Sequence, residues 1–298
     1  MLARQLMYVC TLVILMCLGL SSARAGMSYI VIEAKSGTVI NQKDADSPWY
    51  PASLTKLMTL YLAFQSLEEK HLSESTLLNV SAQAARQPPM KIGVKSGDSL
   101  SVHTAVKILT TISSNDVAVV LAEGMGGSES EFVKKMNAQA RLLGMKDTQF
   151  ANATGLPDAK QITSARDMAI LARHLLKDYP QYYHFFSTRS VSYKGVSFQS
   201  HNGFLSRYPG ADGFKTGYTC GSGYNLVASA KKNNRRLITV VLGAESLSER
   251  KKTAVSLMDD SFGVDADYHG LPLLHLRGSV RVNMQAPEII QGRTCQKL

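Results

Sequence analysis

Ser53-Leu54-Thr55-Lys56 opens a long apolar run. A serine and a lysine three residues apart on one helix share a face. A lysine set among leucines and methionines loses solvation, so its pKa falls and its amine can accept a proton. Such a pair makes a nucleophile without a histidine. At the start of a helix, Ser53 also meets free N–H groups and the positive end of the dipole, which favour a developing negative charge. Farther along, Ser113-Ser114-Asn115 offers a second hydroxyl and an amide. Lys215-Thr216-Gly217 then offers a cation in a glycine-rich, strand-like stretch. In that order the three motifs point to acyl transfer through a serine ester.

Short motifs recur by chance. Ser229-Ala230-Lys231-Lys232 and Ser248-Glu249-Arg250-Lys251 match the first, and Ser200-His201-Asn202 matches the second. Context selects Ser53, because only its helix is apolar enough to be buried. In a strand, Lys215 and Thr216 face opposite sides unless the strand twists at Gly217. Gly217 would let a substrate chain lie along the strand edge, and the N–H groups of Ser53 and Tyr218 would form an oxyanion hole.

The elements that must position these groups follow from periodicity. Residues 28–34 and 38–42 flank Lys35-Ser36-Gly37 as two strands joined by a turn. Pro51 precedes a helix running to about Glu69, with Leu54, Leu57, Met58, Leu60, Tyr61, Leu62 and Phe64 on nearly every face. Residues 73–100 read as loop-rich, with Pro88, Pro89, Gly93 and Gly97. Helical patterns return at 102–111, 115–124, 129–143 and 165–177, the last with Ser164 as N-cap and Asp167 three residues on. A hairpin is expected at 190–198, strands at 213–219, 224–230 and 237–242, and a helix from about Ser246 to Phe262. Strands at both ends with helices between predict an α+β fold. It is a mostly antiparallel sheet flanked by helices, with a helical lobe inserted between its strands.

The 298 residues, 45% hydrophobic and 19% charged, suit a soluble globule. Arg4, an apolar run from about Met7 to Leu20, and Ala23-Arg24-Ala25 have the layout of a secretory signal peptide, cut after Ala25. The run is short for a membrane span, and Met16 is too large for a lipoprotein site at Cys17. The expected division is 1–25 signal, 26–262 catalytic domain and 263–298 a short extension packed on it. Removing Arg4 and Arg24 takes the net charge from +10 to +8. A basic exported chain suits loose attraction to anionic wall polymer or lipid headgroups, as well as an ordinary solvated surface. No nucleic-acid motif is present. Scattered histidines without metal-ligand spacing argue against a metal site. Of four cysteines, Cys220 and Cys295 remain after cleavage, and spacing does not decide whether they pair.

As a set, Pro51–Lys56, Ser113-Ser114-Asn115-Asp116 and Asp212–Tyr218 resemble the low-molecular-weight penicillin-binding proteins. The group they are most similar to is the serine-type D-alanyl-D-alanine carboxypeptidases. The resemblance extends through Gly126–Glu129, Phe150-Ala151-Asn152 with Gly155-Leu156, and Gly223–Leu226, over about residues 28–262. It implies a β-lactamase-like transpeptidase fold and no cofactor. It implies that Ser53 is acylated, Lys56 is its base, and Ser113 passes a proton to the leaving D-alanine. Asn115 would hold the substrate amide, and Lys215 and Thr216 its terminal carboxylate, helped by Arg250. The implied substrate is the peptidoglycan stem peptide and the implied inhibitors are β-lactams. The second motif carries Ser114 where relatives have Gly or Ala. One-domain members also cleave cross-links, so an endopeptidase is the alternative. A class A β-lactamase needs a glutamate between the second and third motifs. Here the last glutamate before Lys215 is Glu131, which predicts that penicillin is trapped rather than hydrolysed quickly. A wall-binding module that had lost catalysis would lack a motif residue, and none is lost.

Overall fold

Among the described residues, strands from both ends of the sequence share one sheet. The computed structural model describes residues 26–265 and 268–274. Strands β1 (Ser28–Glu33), β2 (Val39–Lys43), β7 (Ala211–Thr219), β8 (Gly223–Lys232) and β9 (Arg235–Ala244) form a five-stranded antiparallel sheet in the order β2-β1-β9-β8-β7. Alternate residues of the central strands feed two cores. Val227, Ile238, Val240 and Leu242 face the larger one with the helical lobe. Leu226, Leu237 and Val241 face the smaller one with Ala254, Leu257 and Met258 of the C-terminal helix α7 (Leu247–Gly263).

Between β2 and β7 lies the helical lobe. It holds a 3-10 turn at Ala52–Thr55, then α1 (Lys56–Glu68), α3 (Val102–Ile112), α4 (Asn115–Gly126), α5 (Glu129–Leu142) and α6 (Ala165–Asp178). Helix α1 is buried continuously from Lys56 to Phe64, as its all-round apolar sequence requires. Ser101, Ser128, Ser164 and Ser246 each accept the N–H three residues on, closing the starts of α3, α5, α6 and α7.

The structure changes one expectation and adds short elements that the sequence did not show. Ser53 lies in the 3-10 turn, and the α-helix begins at Lys56. The loop-rich stretch 73–100 also holds short elements: β3 (Leu77–Asn79) pairs with β4 (Ser99–Ser101), and α2 (Ala82–Ala85) lies between them. Strands of three residues are too short to show a period of two. A 3-10 segment at Pro180–Ser187 packs Tyr183 and Phe186 against Phe214 of β7. The hairpin β5 (Ser190–Tyr193) and β6 (Val196–Gln199) is present.

After α7 the described residues turn back on the sheet. Leu273 N–H donates to Gly37 O, Pro272 bridges Thr38, and the buried Arg166 donates to Leu273 O. The signal peptide expected over residues 1–25 lies outside the described residues.

Candidate active site

The 3-10 turn is held from three directions. Asn225 on β8 donates through Nδ2 to Tyr50 O at 2.9 Å and Pro51 O at 3.2 Å, and its Oδ1 accepts Gly243 N–H. Gly217 on β7 lies so close that a Cβ there would stand 3.0 Å from Pro51 O and 3.1 Å from Ser53 N. Gly155, at φ +82°, packs on the Ala52 carbonyl, where a Cβ would collide at 1.9 Å. Gly217 therefore serves the fit of turn to strand, a reason distinct from the substrate approach expected from the sequence. Ala52 itself has φ 48°, a left-handed conformation costly for alanine, directly before Ser53.

Lys56 is fully buried. Its Nζ lies 3.1 Å from Ser53 Oγ, 2.8 Å from Asn115 Oδ1 and 2.5 Å from Thr154 O. The last two are acceptors only. The Asn115 amide is oriented by its own Nδ2, which donates to Pro88 O at 3.0 Å. A neutral amine has two N–H bonds and one lone pair. A neutral amine that gives both N–H bonds to Asn115 and Thr154 would keep its lone pair for the Ser53 hydroxyl. Burial lowers the Lys56 pKa well below the usual lysine value, and the charge of Lys215 lowers it further.

Ser113 ends α3 in a left-handed conformation, φ 65°. Its hydroxyl is buried and has no hydrogen-bond partner among the described residues. Ser114 and Asp116 lock the loop in front of it. Ser114 Oγ donates to Asp116 Oδ1 and accepts Ile92 N–H, while Asp116 accepts the N–H of Gly93 at 2.8 Å.

Strand β7 pairs with β8 without interruption from Gly213 to Thr219. Lys215 sits opposite Val227, facing the helical lobe, and Thr216 opposite Leu226, facing α7. Both are buried at the sheet edge. Burial pulls the Lys215 pKa down to about 7, and the charge of Arg250 pulls in the same direction. Arg250 on α7 donates to Asn225 O at 3.3 Å, and burial lowers its own pKa. Tyr218 is 45% exposed and stacks on Tyr224 with ring centres 4.3 Å apart.

A family model described as D-alanyl-D-alanine carboxypeptidase matches residues 21–246. The chain belongs to this family of serine peptidases. It is 38% identical over 245 residues to the D-alanyl-D-alanine carboxypeptidase DacF of Bacillus subtilis, an alignment spanning 80% of this chain and 63% of DacF. It is 35% identical to DacD of Escherichia coli, over 78% of this chain and 61% of that protein. The chain thus spans about three fifths of the length of these relatives. Penicillin-binding protein 5 of Haemophilus influenzae shares the fold at a TM-score of 0.77 and 33% identity, over 81% of this chain and 71% of the other. Penicillin-binding protein D2 of Listeria monocytogenes, solved in an ampicillin-bound form, gives a TM-score of 0.69 at 29% identity, over 79% and 96% of the two chains. Arg250 lies beyond the residues that the family model matches.

Sequence reasoning assigned no role to Thr154, Gly155, Asp116 or Asn225. Their signals were present as Asn152 with Gly155-Leu156, the Asp after Asn115, and Gly223-Tyr224-Asn225. Thr154 and Gly155 act through their main chain, and Asn225 and Asp116 brace backbone rather than meet the nucleophile, so no catalytic side-chain pattern announced them. Cys220 is disulfide-bonded. The pairing with Cys295 considered from the sequence lies outside the described residues.

Proposed function

We propose that the protein is an exported serine D-alanyl-D-alanine carboxypeptidase. It removes the terminal D-alanine from peptidoglycan stem pentapeptides through an acyl-enzyme at Ser53. The observation that carries this is the environment of Lys56, whose two fixed acceptors leave the amine lone pair for the Ser53 proton. Lys56 takes that proton as Ser53 Oγ bonds to the carbonyl carbon of the penultimate D-alanine. The N–H groups of Ser53 and Tyr218 hold the oxyanion. As the C–N bond breaks, Ser113 passes a proton to the leaving amine. Water then attacks the ester, and Ser53 recovers its proton. Asn115 holds the substrate amide. Lys215, Thr216 and Arg250 hold the terminal carboxylate, and Gly217 keeps the strand close to the nucleophile. Two roles are supported by local strain and an unpartnered hydroxyl: Ala52 and Ser113 are the left-handed, non-glycine residues next to or within the motifs.

β-Lactams are the expected inhibitors, because they acylate Ser53 and no glutamate stands between Phe132 and Lys215 to activate water. The basic charge suits loose attraction to the wall or membrane surface. Among the described residues no helix is long and apolar enough to cross a membrane.

Incubation with pentapeptide muropeptides and with cross-linked dimers, followed by mass analysis, tests the bond chosen. Loss of one D-alanine from pentapeptides is the expected result. Exclusive cleavage of the dimers would replace the carboxypeptidase with the endopeptidase.

A further inference from the structure

A cavity of about 480 Å³ lies at the end of the sheet remote from the nucleophile. Asn225 braces the Ser53 turn near one end of β8, and Lys232 closes the other end seven residues on, roughly 24 Å away. The cavity sits beyond Lys232, between the β1–β2 turn, the β8–β9 turn and the segment that follows α7. None of its lining residues belongs to the acyl-transfer motifs.

The fold fixes its walls. Asn233 and Asn234 both take left-handed conformations, φ 48° and 64°, which close the tight turn between β8 and β9. Arg235 Nη1 donates to Val264 O at 2.6 Å, just past the end of α7. Val39 N–H donates to Leu271 O at 3.0 Å, and Gly270 packs on Val39 O, where a Cβ would collide. These two contacts hold Tyr268 and His269 beside the β1–β2 turn.

The lining suits an anion attached to a flat ring. Lys35 and Arg235 bring two positive charges against the single carboxylate of Glu33. Oε2 of that carboxylate is already occupied by the N–H and the hydroxyl of Ser36. Lys35 Nζ and Arg235 Nη2 have no partner among the described residues, which leaves both for a carboxylate in a charge-assisted contact. The Asn233 and Asn234 amides offer donors and acceptors to hydroxyl groups. Tyr268 is 47% exposed, so its ring presents an apolar face to the C–H side of a sugar. The volume falls within the roughly 300–1,000 Å³ of small-molecule sites.

We propose that this cavity binds a sugar that carries a free carboxylate, as one unit of an acidic polysaccharide of the cell envelope. Lys35 and Arg235 hold the carboxylate, and Tyr268 stacks on the ring. A chain held there tethers the protein by the end of the sheet away from Ser53, and so raises the effective concentration of nearby peptide at the nucleophile. The site is separate from the acyl-transfer steps, so sugar binding and penicillin labelling are read independently.

The test is an NMR titration of isotope-labelled protein with N-acetylmuramic acid, glucuronic acid, N-acetylglucosamine and inorganic phosphate. At least one of the two acidic sugars should shift the amide signals of Ser36, Asn234 and His269. It should bind roughly fivefold or more tighter than the neutral sugar or phosphate, the scale of one charge-assisted contact at a wet site. The acidic sugar that binds tighter names the kind of polymer. Lys35→Gln and Tyr268→Ala change exposed side chains. Each should weaken that binding about threefold or more while labelling of Ser53 by a fluorescent penicillin stays unchanged. Four results overturn the proposal: no shifts at these amides, a neutral sugar bound as tightly as the acidic ones, phosphate bound as tightly as either, or affinities untouched by both substitutions.

Discussion

Two buried lysines meet in this site, and the proposed mechanism gives them different tasks. The charge of Lys215 pushes on Lys56, while Lys215 itself is pushed by Arg250. Burial and the charge of Lys215 both favour the neutral Lys56 that the proposed base requires. Acylation is then lost as pH falls through the depressed pKa of Lys56, because the amine holds its proton. It is also lost as pH rises past about 7, because Lys215 no longer carries its charge. A plot of kcat/KM against pH for a D-Ala-D-Ala peptide should show that alkaline limb, and Lys215→Arg should move it upward. A profile flat between about pH 6 and 9 would contradict the assignment. Ser113 offers a cleaner separation of function from stability. Its hydroxyl is buried without a partner among the described residues, so Ser113→Ala breaks no hydrogen bond and should cost at most about 1 kcal/mol of unfolding free energy. Peptide cleavage should fall roughly 10²–10⁴-fold if the hydroxyl transfers a proton. Thermal melts and peptide kinetics on one preparation read both.

At the scale of elements, the site is a contact between a strand and a turn. Gly217→Ala places a methyl group 3.0–3.2 Å from Pro51 O, Ser53 N and Leu54 N. The turn must retreat by a few tenths of an ångström. Overpacking of this kind costs about 1–3 kcal/mol, but the nucleophile moves with the turn, and misplacement can cost ~100-fold in rate. Penicillin acylation of Gly217→Ala should therefore drop far more than its melting temperature suggests. The long elements were legible because their apolar residues recur with a clear period. Helix α1 reads as buried from Leu54 to Phe64, and β7 to β9 read as strands. The short ones were not. β3 and β4 are three residues each and pair across some twenty residues, so only the folded chain brings their partners together. The three motifs were legible as side-chain chemistry. The carbonyl of Thr154 was invisible, because any residue supplies a carbonyl and only the path of the backbone aims it at Lys56.

For the whole molecule, the sheet and the helical lobe act as two jaws. The lobe supplies Ser53, Lys56, Ser113 and Asn115. The sheet supplies Lys215, Thr216 and Asn225, with Arg250 from the helix packed beneath it. The jaws meet where Gly217 and Asn225 of the sheet hold the turn that carries Ser53, more than a hundred positions away in the chain. Family membership fixes the fold, and the order of the jaws along the chain was already visible in the order of the motifs. The central claim is that Ser53 forms a stable ester which water clears slowly. Intact-protein mass spectrometry after incubation with benzylpenicillin tests it most directly, with Ser53→Ala alongside. The account predicts a gain of one whole penicillin, located on the peptide containing Ser53, that persists after excess drug is removed and is missing from Ser53→Ala. An unmodified mass with the penicillin consumed, or an adduct that survives in Ser53→Ala, would contradict it.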